Sequence, residues 1–219
     1  MYLIIMGVQG AGKGTQAAAI KERLNIPHIT SGGLFRAMKD QDTPLARQVQ
    51  AIMARGELVP DDVTIQVVRE RLMQPDAARG FILDGFPRTR PQAEALDALM
   101  NALGQQITAV LYLHIDDDEA VERISGRLQC TLNEQHIYHR RYNPPSVEGV
   151  CDVDGGRLFT RDDDQPEAVR KRIAEFHHKT RPLLDYYRER GLLREIAADR
   201  PIEAVTEAIL QMLQADQAE

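Results

Sequence analysis

Tryptophan is absent from this 219-residue chain, and cysteine occurs only twice, at Cys130 and Cys151. Two thiols cannot staple a disulfide-rich scaffold. No apolar run approaches the ~20 residues that a membrane-spanning helix needs, and the N-terminus reads as a strand, not a signal peptide. An excess of positive charge is also lacking. Lys and Arg number 27 against 33 Asp and Glu, a net charge of −6. That balance argues against a broad nucleic-acid surface, so any phosphate must be held by a few local cations. Internal repeats and low-complexity segments are missing too. What remains is 43% hydrophobic and 27% charged, enough for one globular domain with insertions. A reducing, cytoplasmic setting is expected.

The richest segment is Gly7-Val8-Gln9-Gly10-Ala11-Gly12-Lys13-Gly14-Thr15, directly after Tyr2-Leu3-Ile4-Ile5-Met6. Glycines let successive backbone N–H groups converge on one anion. The next stretch forms helix, so its N-terminal dipole faces the same anion. Lys13 adds a point charge for the β- and γ-phosphates. Two glycines and a lysine alone are a weak signal. The strand before and the helix after weigh against a mere flexible turn. Gly14 stands where the common motif has Ser or Thr.

Apolar strands are expected at residues 2–6, 26–29, 80–83, 109–115 and 193–197. Helical periodicity marks 15–24, 33–39, 44–55, 62–73, 91–103, 117–125, 166–190 and 201–213. Alternation of this kind implies an α/β fold with a parallel, doubly wound sheet, its ligands beyond the carboxyl ends of the strands. Residues 127–164 break the rhythm. They are rich in Asn, Pro, Gly and Asp, with short β-like pieces at 137–139 and 157–160, and read as an inserted module with little core. The tail from 214 onward is expected to fray. Asp84 ends an apolar strand, where a carboxylate can hold Mg²⁺ through its water shell. Gly85-Phe86-Pro87-Arg88 follows, a tight turn that presents a planar guanidinium fork.

Together these motifs resemble the adenylate kinases, nucleoside monophosphate kinases with a long lid. The resemblance covers essentially the whole chain. It rests on the phosphate loop at 7–16, Ile-Thr-Ser-Gly-Gly-Leu-Phe-Arg at 29–36 and Gly-Glu-Leu-Val-Pro-Asp at 56–61. It continues with Leu-Asp-Gly-Phe-Pro-Arg-Thr at 83–89, Arg-Ile-Ser-Gly-Arg at 123–127, Tyr-Asn-Pro-Pro-Ser-Val-Glu-Gly at 142–149 and Arg-Asp-Asp-Asp at 161–164. The Gly14 oddity is that family's own form of the loop. The resemblance implies a P-loop, five-stranded parallel sheet with helices on both faces. The core would comprise 1–29, 60–126 and 165–219, with a helical AMP-binding insertion at 30–59 and a small β-rich lid at 127–164.

The chemistry so implied is reversible transfer between ATP and AMP to give two ADP, with Mg²⁺. By resemblance, Lys13 with Gly10, Ala11, Gly12, Gly14 and Thr15 holds the ATP phosphates, and Arg36 and Arg88 hold the AMP phosphate. Arg123 stacks on the donor adenine, which Ile137, Tyr138 and the backbone near Arg200 also line. Arg127, Arg161 and Arg172 close over the phosphates being exchanged; for Arg172, between Lys171 and Ile173, a solvated helix charge is the bland alternative. Ser31, Gln92 and the backbone at Glu57, Leu58 and Val59 surround the acceptor base, with Gly85, Phe86 and Pro87 beneath. Gly33 stands where the family often has Asp, and the residues offer no account of that. ATP, AMP and ADP are the implied partners, with no nucleic acid or membrane, and a monomer is expected. A GTP:AMP phosphotransferase, a pyrimidine monophosphate kinase and a nucleotide switch are the rivals; a complete acceptor set at Arg36, Arg88 and Gln92 disfavours the last.

Within the inserted module, Cys130, His136, Cys151 and Asp154 are spaced as Cys-x₅-His-x₁₄-Cys-x₂-Asp. Two thiolates, an imidazole and a carboxylate suit a structural, tetrahedral zinc, and a module without a core gains most from one. Two other readings stay open: a metal-free lid held by hydrogen bonds, and a Cys130–Cys151 disulfide.

Overall fold

The computed structural model describes residues 1–55, 58–134, 136–161 and 164–218. Five apolar runs form one sheet: β1 (Tyr2–Met6), β2 (His28–Thr30), β3 (Phe81–Asp84), β4 (Ala109–His114) and, late in the chain, a strand at Leu193–Ala197. Every pairing is parallel, and β1 lies centrally, between β3 and β4. The connections are helical, as parallel pairing demands. In chain order they include α1 (Lys13–Leu24), α2 (Ser31–Ala37), α3 (Pro44–Ala54), α4 (Asp61–Leu72), α5 (Arg90–Ala102) and α6 (Asp117–Ser125).

Alternate side chains of each strand feed two separate cores, the period-2 consequence of a pleated backbone. Leu3 and Ile5 of β1 join Leu111 and Leu113 of β4 on one face, against Ala17 and Ile20 of α1. Ile4, Met6, Val110 and Tyr112 point to the other, against Leu96 and Met100 of α5. A third cluster is built on the stripe Leu45, Ala46, Val49 and Ile52 of α3, which packs on Val63 and Val67 of α4. The doubly wound architecture expected from the sequence is therefore present.

Beyond α6 come three short strands, β5 (Arg127–Cys130), β6 (Ile137–His139) and β7 (Leu158–Phe159), in an antiparallel sheet of their own with β5 central. The outer two coincide with the β-like pieces at 137–139 and 157–160, whereas β5 carries no such signal in the sequence. The core here is small: Leu128, Cys130, Tyr138, Cys151 and Leu158.

The long helix expected over 166–190 is two helices, α7 (Pro166–Glu175) and α8 (Pro182–Arg188), joined by one π-type turn at Phe176–Thr180. Pro182 is the physical cause. It carries no N–H, and its ring excludes a regular α-turn before it. The chain widens there, and Arg181 N–H donates to Phe176 O, five residues back, at 2.8 Å. The edge strand β8 (Leu193–Ala197) and α9 (Ile202–Ala218) complete the chain. Val205, Ile209 and Leu213 of α9 are buried in the α1 face, so the backbone stays helical past 214, where fraying was expected. No helix among the described residues is long and apolar enough to cross a membrane.

Candidate active site

The loop between β1 and α1 lies at the carboxyl edge of the parallel sheet. Gly10 has φ +97° and approaches α6 so closely that a Cβ would lie 2.6 Å from Ala120 O. Gly12, the N-cap of α1, has φ +82° and provides no side-chain cap. The first N–H groups of α1 therefore keep their hydrogen-bonding capacity for a ligand. Lys13 arches back over the loop, and its Nζ donates to Gly7 O and Val8 O, each at 2.9 Å. Burial depresses the Lys13 ammonium below its ordinary value. The Asp84 charge opposes that shift, while Arg88, Arg172 and Arg127 reinforce it. Three arginines from distant segments thus lie within electrostatic reach of one lysine.

Asp84 closes β3 beside this loop. Burial would raise its carboxyl, but a contact from His28 Nε2 at 3.4 Å and the charge of Lys13 outweigh burial and hold it below the ordinary value. The chain then turns through Gly85, at φ +78°, and a cis Phe86–Pro87 bond. Arg88 Nε donates to Gly85 O at 2.7 Å, and its Nη2 lies 3.4 Å from Ser31 Oγ. Ser31 in turn donates to Gly85 O at 2.9 Å. Burial, then the Arg172 charge, lowers the Arg88 guanidinium, against Asp84 and Glu175. Lys13 thus feels the charges of Arg88, Arg172 and Arg127, and Arg88 feels that of Arg172, an excess of positive charge that a bound anion would offset.

Other residues expected around the acceptor lie on α2, on α5 and just before α4. Gln92 is buried at the start of α5, bonded to Asp61 and to the Arg88 backbone. Val59 is half-buried and Leu58 exposed; Glu57 lies outside the described residues. Arg36 reaches from α2 to the three-stranded module, its Nε 3.5 Å from Glu134 Oε2. Gly33 now has a reason. Thr30 Oγ1 caps α2 by accepting from Gly33 N–H at 3.0 Å, and a Cβ at 33 would lie 2.6 Å from that oxygen.

On the opposite side, Arg127 makes a two-pronged ion pair with Asp164 at 2.6 and 3.0 Å. Gln9 Nε2, from the phosphate loop, donates to the same carboxylate at 3.3 Å. Arg123 pairs with Glu119 and donates to Ala198 O at 3.0 Å. Arg200 is exposed and donates to Ala197 O at 3.2 Å. Ile137 is exposed. The Tyr138 ring is buried in the module's core, its hydroxyl accepting from Asp152 N–H at 2.8 Å. Arg161 is half-buried, its carbonyl accepting from Asp164 N–H.

Cys130, His136, Cys151 and Asp154 come together. One ligand atom from each lies within 4.8 Å of all the others. Cys130 Sγ is 3.1 Å from Asp154 Oδ1, His136 Nδ1 is 2.8 Å from Asp154 Oδ2, and Cys151 Sγ is 3.5 Å from His136 Nδ1. A tetrahedral zinc with bonds of about 2.0–2.3 Å spaces its ligands by about 3.3–3.8 Å, so the donor set matches in type and scale. The two thiols are not joined.

Gln9, Asp61, Glu134 and Asp164 also engage these side chains, and nothing in the sequence assigns them a role. Gln9, Asp61 and Asp164 stand inside the motifs singled out above, yet only the fold reveals their partners. A strand–glycine loop–helix unit beside a convergent set of arginines, with an Asp at the neighbouring strand end, defines a P-loop phosphotransferase. Comparison with known proteins narrows this class. The family model described as "Adenylate kinase" matches residues 5–192. The Streptomyces coelicolor protein named adenylate kinase is 49% identical over 217 residues, spanning 99% of this chain and all of the relative. That of Oceanobacillus iheyensis is 47% identical over 214 residues, 98% of this chain and 99% of the relative. That of Staphylococcus aureus is 44% identical over 213 residues, 97% and 99% respectively. The chain belongs to the adenylate kinase family, enzymes that interconvert ATP plus AMP with two ADP, Mg²⁺ accompanying ATP.

Proposed function

We propose that the chain carries out this exchange with the residues named above in distinct roles. Lys13 and the N–H groups of the 10–15 loop hold the donor phosphates. Arg88 and Arg36 hold the acceptor phosphate, with Ser31, Val59 and Gln92 around its base. Arg127, Arg161 and Arg172 gather over the transferring group, and Arg123 lies against the donor adenine. The gathering of Arg88, Arg172 and Arg127 within electrostatic reach of Lys13, beside the glycine loop that opens α1, carries this reading.

The protein's task is to position and neutralise. An acceptor phosphate monoester, with its second pKa near ~6, is already mostly a dianion at neutral pH and needs no general base. Ionised Asp84 at the strand end and the exposed Thr15 fit a hydrated Mg²⁺, which supplies charge neutralisation between the phosphates. The segments 30–59 and 127–164 act as flaps on the core, excluding water until both nucleotides are bound. A structural zinc in Cys130, His136, Cys151 and Asp154 organises the second flap; all four positions come from protein, leaving no open coordination position for catalysis. Two reduced thiols suit a cytoplasmic enzyme, and we take the monomer as the working unit.

The test is a coupled assay across monophosphate acceptors and triphosphate donors. Arg88→Ala lowers kcat/KM for AMP at least about a hundredfold with melting unchanged. Near-normal kinetics would refute the assignment, and GTP outcompeting ATP would move the chain to the GTP:AMP phosphotransferases.

A further inference from the structure

Gln92 is 5% exposed, and both ends of its amide are engaged. Its Oε1 accepts from the Arg88 backbone N–H at 2.8 Å, and its Nε2 donates to Asp61 Oδ1 at 2.7 Å. A peptide N–H can only donate and a carboxylate can only accept. Both neighbours therefore demand the same amide orientation. The Asp61 carboxylate is itself held, since its Oδ2 accepts from Thr89 Oγ1 at 2.6 Å. One Nε2 proton and one Oε1 lone pair of Gln92 remain for a ligand.

We propose that Asp61, through its hydrogen bond to Gln92, sets the polarity of the amide that meets the acceptor base, and so selects 6-aminopurine over 6-oxopurine monophosphates. The inference rests on the assignment of Gln92 to the acceptor base. A 6-aminopurine offers an N6 donor beside an N1 acceptor. A 6-oxopurine reverses both, with an O6 acceptor beside an N1–H donor. The locked amide, lone pair and proton in fixed order, matches only the first. To match the second it must turn over. That sets Nε2–H against the Arg88 N–H and Oε1 against the Asp61 carboxylate, two repulsive contacts at a buried position. Asp61 is thus a positioning residue, acting through Gln92.

The experiment compares AMP and IMP as acceptors, with ATP as donor, in the full-length chain. In Asp61→Asn the new side-chain amide can donate to Gln92 Oε1 and relieves one of the two repulsions. The ratio of kcat/KM for AMP over IMP then falls by about tenfold or more, the scale of one charge-assisted hydrogen bond. The change lies in the acceptor KM, and KM for ATP stays as in the parent. Asp61→Ser, which removes the carboxylate that demands Nε2–H, moves the ratio in the same direction. Thr89→Ala loses the other bond to the same carboxylate and the cap of α5, where Thr89 Oγ1 accepts from Gln92 N–H at 3.4 Å, so it lowers melting and moves the ratio less than Asp61→Asn does. An unchanged ratio in both Asp61 variants, with Gln92→Leu still raising KM for AMP, overturns the inference alone. If Gln92→Leu leaves KM for AMP unaltered, the base-site assignment beneath it fails.

Discussion

The Arg127–Asp164 pair permits a quantitative test of how the β5–β7 module is fastened to the phosphate loop. Asp164 is 1% exposed, and its carboxylate accepts two bonds from Arg127 and one from Gln9. Arg127 keeps 23% of its side-chain surface in solvent. Removing one partner of a buried pair costs about 3–5 kcal/mol, because the other charge is left uncompensated. Water can reach Arg127, so the lower end applies, about 3 kcal/mol for Asp164→Ala. At about 2–4 °C per kcal/mol for a chain of this size, melting falls by roughly 6–12 °C. Calorimetry reads the loss. Hydrogen exchange shows whether it is concentrated in the amides of β5–β7, as expected for a small satellite cluster. The double variant with Arg127→Met is decisive, since it removes both charges. It must be less destabilised than the sum of the single variants by at least about 0.5 kcal/mol. Additive single variants, or an Asp164→Ala chain as stable as the parent, would refute the reasoning.

Thr206→Val removes the hydroxyl that bonds the buried Gln16 Oε1 at 2.7 Å between α1 and α9. Leaving that oxygen unpaired costs about 1–3 kcal/mol, read by urea denaturation. An alkaline loss of stability is expected from Tyr186. Burial and the Asp97 carboxylate push its phenol from the ordinary value near 10 up to about 12. The fold favours the protonated form, so the contribution is complete below about pH 10 and is lost as pH rises toward about 12; Tyr186→Phe flattens that decline, and an unaltered decline would contradict the assignment. For the thiol cluster, elemental analysis of tag-free chain gives about one metal per molecule. Stripping it makes residues 127–164 sensitive to protease before the core melts, and metal-free protein with an equally resistant module would reject the zinc.

Residue order made the phosphate loop readable because its parts are neighbours in the chain. Strand, glycines, lysine and helix lie within residues 2–24, and the convergence of N–H groups is a property of that local turn. The alternation of apolar segments likewise announced the parallel sheet, since each segment's pattern is set by its own period. Pro182 carried the cause of the break between α7 and α8, but the helical periodicity around it masked the signal. β5 was hidden for a different reason. In β5 the alternation of Arg127 and Gln129 with the core residues Leu128 and Cys130 runs for only four residues, too short to stand out, and the strand exists because β6 and β7 flank it.

The residues alone, then, dictated which groups could touch a phosphate and which could hold a metal, because charge, donor count and ligand type are intrinsic to side chains. Their partners were decided by folding. Asp61 meets Gln92 across 31 positions and Gln9 meets Asp164 across 155. Such contacts follow from how helices and loops stack at the end of a sheet, where a side chain's orientation is imposed by whatever donor or acceptor the packing leaves beside it.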